Sequence, residues 1–443
     1  LHLPQYPLTQ PTKEALPRWS GFNLIEKLNG RNLPYREDDF RMIASFGFNF
    51  VRLPMDYRAW SGVEEDWERF DERALLDIDE AVQFGIKHNV HVCLNFHRAP
   101  GYHEVKKPKY ALFSDDKALE ACARHWALFA KRYKGISSKY LSFNLLNEPP
   151  SIPEATSENY RRVIERLVNA VRAEDPERFL IVDGERGAFR VPKALDGLNV
   201  AVAAHGYLPH RSLTHYGAGF TGVDYSGLPA PIWGTRNHFS GVLNSRGQTS
   251  QIVFKEPLKF PTSLSIEIGT VYERGDIALF VDGEQAGTWP LGNGAEQTLP
   301  WKTQKSIPGT NISSYVFNRP LFLETLPAGT QSVSFQCVRG KLNFNRLQLE
   351  WKDETKAART AVLEARNQDP VADDETMPEW MRSAVFDQRT GAFEFPNSPD
   401  GRTFLEHHIY GSWRAFSQGT KTGILIGEFG FCNTVPRKAA LDW

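Results

Sequence analysis

Short apolar runs alternate with amphipathic stretches over residues 19–205, and this rhythm is the strongest structural signal in the chain. The runs Trp19–Asn23, Phe50–Pro54, Val90–Phe96, Tyr140–Phe143, Phe179–Val182 and Val200–Ala204 read as strands. Apolar residues at helical spacing predict helices over Arg36–Phe46, Asp71–Lys87, Lys117–Lys134 and Glu158–Ala173 between them. The rhythm resumes late, with a predicted helix over Thr403–Ser417 and a strand over Gly423–Ile426. Near-continuous apolar strands separated by amphipathic helices specify a parallel sheet covered by helices. With no glycine-rich phosphate turn after any strand, the pattern favours a closed (β/α)8 TIM barrel over a doubly wound nucleotide-binding sheet.

Between residues 237 and 352 the pattern changes to short alternating segments: Ser250–Phe254, Ser263–Ile268, Ile277–Val281, Gln331–Val338 and Leu347–Trp351. Glycine and proline turns separate them, among them the hairpin signal Val281-Asp282-Gly283-Glu284. This predicts an antiparallel all-β sandwich inserted between the sixth and seventh barrel strands, on a loop where insertion is tolerated. The expected division is a first barrel part over 1–236, the insert over 237–352, a charged, proline-containing connecting segment over 353–399, and a second barrel part over 400–443. The count stops at seven strands. Residues after Glu428 read as the start of an outer helix, and an eightfold barrel calls for one strand more.

A length of 443 residues suits a barrel with one extra module. A formal net charge of −1 provides no field to attract nucleic acid or an anionic membrane, and no stretch approaches a membrane span. The opening Leu1-His2-Leu3-Pro4 has no signal-peptide pattern, so a mature or trimmed chain of a secreted or periplasmic monomer is expected. Cys93, Cys122, Cys337 and Cys432 have no metal-site or disulfide spacing and are expected to be free thiols. Aromatic residues make up 12% of the chain, which suits either sugar stacking or a large core.

Two carboxylates stand just beyond apolar runs: Glu148 in Leu145-Leu146-Asn147-Glu148-Pro149, and Glu428 in Ile426-Gly427-Glu428-Phe429-Gly430. A carboxylate there is costly without partners or a task, and two are the minimum equipment for cleaving a glycosidic bond. In a parallel barrel the chemistry gathers at the C-terminal strand ends. Those ends hold Arg52, His97, Asn147 with Glu148, His205 with Tyr207, and Glu428. Taken singly, Arg52 reads more readily as an ion-pair partner and each histidine as a structural hydrogen-bonding residue. Together they converge on one mouth.

In this order the motifs Phe50-Val51-Arg52-Leu53-Pro54, Asn95-Phe96-His97-Arg98-Ala99-Pro100-Gly101, Phe143-Asn144-Leu145-Leu146-Asn147-Glu148-Pro149, His205-Gly206-Tyr207 and Gly427-Glu428-Phe429-Gly430 resemble glycoside hydrolase family 5, the cellulase-like β-glycanases. The resemblance covers roughly residues 17–235 and 400–443. It implies a retaining endo-β-glycanase acting on β-1,4-glucan, with a polysaccharide or oligosaccharide partner and no cofactor. It also implies Glu148 as acid/base, Glu428 as nucleophile and Arg52 holding the nucleophile ionised. Asn147 would bond the sugar 2-hydroxyl, Tyr207 would orient Glu428, and His97 and His205 would contact sugar hydroxyls or tune the acid. The family's floor tryptophan on strand eight has no counterpart, and Trp443 sits too early for it. In the insert, Gly275–Gly283 and Leu326–Val333 resemble jelly-roll carbohydrate-binding modules of families 6 and 35, which often carry a structural calcium.

Trp60, Tyr102 and Trp233 are candidates for lining the cleft, and Trp289 and Trp301 for sugar platforms on the insert, each with a packing alternative. Within the same family, mannan or another β-glucan remains open as substrate. Two other readings stand beside the enzyme: a non-catalytic glycan-binding protein, motivated by the strand count, and a metal-dependent barrel hydrolase using His97, His103, His205, His210 and His215. The first strand carries no His-x-His pair, which weighs against the metal reading.

Overall fold

Each apolar run predicted between residues 19 and 205 contains a strand: β1 (Gly21–Asn23), β2 (Phe50–Asp56), β3 (His91–Arg98), β4 (Leu141–Asn144), β5 (Phe179–Asp183) and β6 (Ala201–His205). The strand Ile424–Glu428, β7, joins them in one sheet of order β1-β2-β3-β4-β5-β6-β7, every pair parallel. This computed structural model describes residues 6–102, 109–150, 154–207, 239–245, 249–292, 301–306, 312–317, 320–365, 379–399, 401–404, 406 and 410–430. The chain divides into two compact units, Leu1–Tyr207 with Tyr410–Gly430 and Leu208–Ile409 with Phe431–Trp443.

In the first unit the helices α1 (Glu37–Ser45), α2 (Glu72–His88), α3 (Asp116–Arg132) and α4 (Ser157–Glu174) follow the first four strands, giving the (β/α) barrel that the pattern predicts. The starts of the last three are set by side-chain caps that satisfy otherwise orphaned backbone donors. Asp71 caps α2, Asp115 caps α3 and Thr156 caps α4. Asn89 ends α2 in the left-handed region at φ 55°. Helix stripes such as Leu75, Ile78 and Val82 close on Val51, Leu53, Val92 and Leu94 to form the core. All seven residues of β2 are buried, so the sheet holds Arg52 inside the barrel unit.

β7 differs from expectation. It pairs only with β6 among the described residues, and Ile426 is 43% exposed rather than buried. The helix expected over Thr403–Ser417 is also corrected. The described residues give a short turn at Gly401–Phe404 and a separate helix, α5 (Gly411–Thr420), with Tyr410 in a bend before the flexible Gly411.

The second unit is all-β. Its strands form one 11-stranded sheet, and the order is mixed rather than wholly antiparallel, because Ser383–Asp387 pairs parallel with Thr249–Phe254. The four segments expected at Ser263–Ile268, Ile277–Val281, Gln331–Val338 and Leu347–Trp351 are parts of two long paired strands, Thr262–Val281 and Ser332–Lys352. Bulges carry these strands through their glycine and asparagine positions. A Cβ at Gly340 would fall 1.8 Å from the Arg274 carbonyl oxygen, so this glycine marks a close strand approach and not a turn. Strands Ala358–Glu364, Ser383–Asp387 and Ala392–Glu394 extend the same sheet past residue 352, into the stretch read above as a connector. Trp289 packs against the unit's core, and the Trp301 side chain lies outside the described residues.

Cys93, Cys122 and Cys337 are free and buried, and Cys432 lies outside the described residues. No described helix is long and apolar enough to cross a membrane.

Candidate active site

The parallel sheet brings one end of every strand to the same side of the barrel unit, and polar side chains collect there. Arg52 on β2 is 1% exposed, an expensive position for a charge unless it is fully partnered. Its partners take the whole guanidinium fork. Nη1 donates to Glu428 Oε1 at 2.5 Å, Nη2 to Asn147 Oδ1 at 2.8 Å and Nε to Asn144 Oδ1 at 3.0 Å. Tyr207 donates its hydroxyl to the other Glu428 oxygen, Oε2, at 3.0 Å. Burial alone would raise the Glu428 pKa, yet the charges of Arg52 and His205 outweigh it and hold the carboxyl down at about 2.

Glu148 follows β4 in a turn that holds its backbone at φ 44°, a region that costs a non-glycine residue free energy. Three contacts hold it there. The Glu148 amide donates to Asp183 Oδ2 at 2.9 Å, and the Tyr102 hydroxyl lies 2.6 Å from both the Asn147 and Glu148 carbonyl oxygens. The Glu148 carboxylate meets His205 Nδ1 at 2.8 Å. His205 Nε2 faces Asp183 Oδ2 at 3.3 Å, within ion-pair range but without hydrogen-bond alignment. Burial would discharge the His205 ring, but Asp183 and Glu428 overcome it and push its pKa up to about 10. His97 is the opposite case. It lies 3.9 Å from Glu428, but burial holds its pKa down at about 3, so the ring is neutral. Its Nδ1 has no hydrogen-bond partner among the described residues.

A carboxylate oxygen of Glu148, one of Glu428 and a ring nitrogen of His205 all lie within 4.8 Å of one another. Such a triangle is wide enough for a cation. Its donor chemistry does not fit one, because the His205 ring carries a proton on each nitrogen at neutral pH and the Arg52 charge adjoins Glu428. His103, His210 and His215 lie outside the described residues. The arrangement instead suits proton delivery beside an ionised carboxylate. The Glu428 side chain is 11% exposed and that of Glu148 is 33% exposed, so the second reaches the opening and the first lies deeper.

All seven residues singled out from the strand ends, Arg52, His97, Asn147, Glu148, His205, Tyr207 and Glu428, therefore meet at one place. Two aromatic candidates do not line a cleft. Trp60 is wholly buried and donates to His125 Nδ1, and Tyr102 is buried beneath the Glu148 turn. Trp233 lies outside the described residues. Asn144 and Asp183 were missed. Asp183 obeys the rule that found the others, since it ends the run Phe179-Leu180-Ile181-Val182. Asn144 gives the same signal, since it follows the run Tyr140-Leu141-Ser142-Phe143 and ends β4.

The profile of the cellulase family, glycosyl hydrolase family 5, matches residues 9–235. Endoglucanase C of Acetivibrio thermocellus is 31% identical over 148 residues, 33% of this chain and 42% of that relative. Cellodextrinase A of Ruminococcus flavefaciens is 24% identical over 266 residues, 57% of this chain and 72% of that relative. A solved structure described as a glycoside hydrolase is 39% identical and covers 48% of this chain and 67% of its own, with a TM-score of 0.45. The match to the first of these relatives thus spans less than half of its length.

Proposed function

Since the chain belongs to the cellulase family, glycosyl hydrolase family 5, we propose that it is a retaining endo-β-glycanase that hydrolyses β-1,4-glucan by double displacement. The observation that carries this reading is the approach of Glu148 and Glu428 to within 4.8 Å. Retaining glycosidases place their carboxyl groups about 5–5.5 Å apart, whereas inverting enzymes leave room for a water between theirs.

In the first step a Glu428 oxygen attacks the anomeric carbon as the bond to the leaving oxygen breaks. Arg52 and Tyr207 keep that carboxylate ionised and aimed, each holding one oxygen. The leaving oxygen takes the proton that Glu148 shares with His205 across their 2.8 Å bond. In the second step Glu148, now a base, draws a proton from water, which attacks the glycosyl ester and frees Glu428. Arg52 occupies the Asn147 amide oxygen, which leaves the amide nitrogen to donate to the sugar 2-hydroxyl. His97 lies beside the same carboxylate, 3.9 Å from Glu428. A polymeric glucan does not cross a membrane, so the enzyme meets it outside the cell or in the periplasm.

Turnover on barley β-glucan, carboxymethylcellulose and mannan tests the reading. Hydrolysis of the first two with little on mannan is expected. Preference for mannan moves the substrate within the family, and binding without hydrolysis makes the chain a glycan-binding protein.

A further inference from the structure

Asp183 is 0% exposed, takes no direct bond from a lysine or arginine among the described contacts, and yet lies at the centre of the site. Its Oδ1 accepts from Asn144 Nδ2 at 2.8 Å. Its Oδ2 accepts the Glu148 amide at 2.9 Å and faces His205 Nε2 at 3.3 Å. The Tyr160 hydroxyl, 2.6 Å from its carbonyl oxygen, pins its main chain. We propose that Asp183 is the positioning residue of proton transfer: one buried oxygen fastens the strained turn that carries Glu148 and sets a negative charge against the ring that Glu148 shares its proton with. This rests on Glu148 being the acid/base, as argued above.

The titratable and charged groups facing His205 come from five elements. Glu148 follows β4, Asp183 ends β5, Glu428 ends β7, His97 is on β3 and Arg52 on β2. The Tyr207 ring stands edge-on to it, 6.3 Å away. Arg52 opposes a charge on the ring, and the carboxylates favour it. Among the described residues, Asp183 is the carboxylate within ion-pair range of the nitrogen that points away from the acid. In Asp183→Asn the amide oxygen can still accept from the Glu148 backbone, the amide nitrogen replaces the acceptor of Asn144 Nδ2, and the negative charge is gone. The His205 ring then loses its proton at lower pH.

The test is kcat/KM against pH on barley β-glucan for the full chain and for D183N. The alkaline limb should fall by about one pH unit or more, with kcat down about a hundredfold. For a dinitrophenyl β-cellobioside, whose leaving group needs no proton, kcat/KM should change far less. A uniform loss with the limb unmoved would overturn the proposal, since a merely structural residue behaves that way. A second readout is independent of catalysis: ring nitrogen NMR should show His205 as imidazolium at pH 8 in the unaltered protein, and neutral in D183N. A neutral ring at pH 8 in the unaltered protein overturns the proposal even where D183N fails to fold. Absence of glucan turnover in the unaltered protein defeats the glycanase reading and leaves the NMR result to decide the role of Asp183.

Discussion

Arg52 Nη1 lies 2.5 Å from Glu428 Oε1, although 376 positions separate the two residues. The same guanidinium reaches Asn147 and Asn144, so one buried fork ties β2, the Glu148 turn and β7 together. A lysine is a point charge with no fixed fork and cannot hold three acceptors in that geometry. Arg52→Lys should therefore fold but lose about a hundredfold or more in kcat/KM on glucan. Activity within a few-fold of the unaltered protein would show that the fork is not used.

The two carboxylates should fail differently. Glu428→Ala should abolish turnover on every substrate. Glu148→Ala should lower kcat/KM on native glucan by roughly 10²–10⁴-fold, the usual contribution of a general acid. On an activated aryl glycoside its kcat/KM should stay near the original value. Normal hydrolysis of native glucan by Glu148→Ala would contradict the roles assigned here.

Most of this constellation is legible in the sequence, because a parallel strand forces its last residue to one rim. The rule works wherever the run is apolar and the end polar, as at His205 and Glu428. It was applied one residue short at β5, where the strand runs on through Asp183. Trp60 and Tyr102 show the opposite limit. An aromatic near a rim can turn inward, and only packing against Phe96 and Phe129, or beneath Glu148, decides which. The positive φ of Glu148 has no local signal at all, since tertiary contacts impose it. In the second unit, alternation locates the strands but not their continuity, because a bulge and a turn both use glycine.

Tyr102 tests that imposed turn. Tyr102→Phe keeps the ring and removes the hydroxyl that lies 2.6 Å from the Asn147 and Glu148 carbonyl oxygens. Chemical denaturation should show a loss of about 0.5–1.5 kcal/mol. On native glucan kcat should fall while KM changes little, because the Glu148 carboxyl loses its aim. Unchanged kcat would mean that Asp183 alone sets the turn.

Stability should peak near neutrality. Burial holds His91 and His97 at about 3 and His125 at about 4, below the unfolded value of about 6.5. Below that value the unfolded chain takes up protons that the folded protein does not, so stability falls toward pH 4. The slope is up to about 1.4 kcal/mol per pH unit for each ring. Glu428, held at about 2, adds a loss in the same direction below about 4.5. His205 acts on the other side. Its raised pKa of about 10 contributes stability that is full below about 6.5 and is lost as pH rises toward 10. Melting temperature measured from pH 4 to 10 should therefore form a dome, and a flat profile between pH 5 and 9 would contradict these assignments.

Glu148 and Glu428 stand within 4.8 Å of each other, too close for a water to attack from the far face of the sugar. Proton NMR of the first products released from a β-glucan reads this directly. The account predicts that the newly formed reducing ends appear as the β-anomer and only later mutarotate. An initial α-anomer would contradict it.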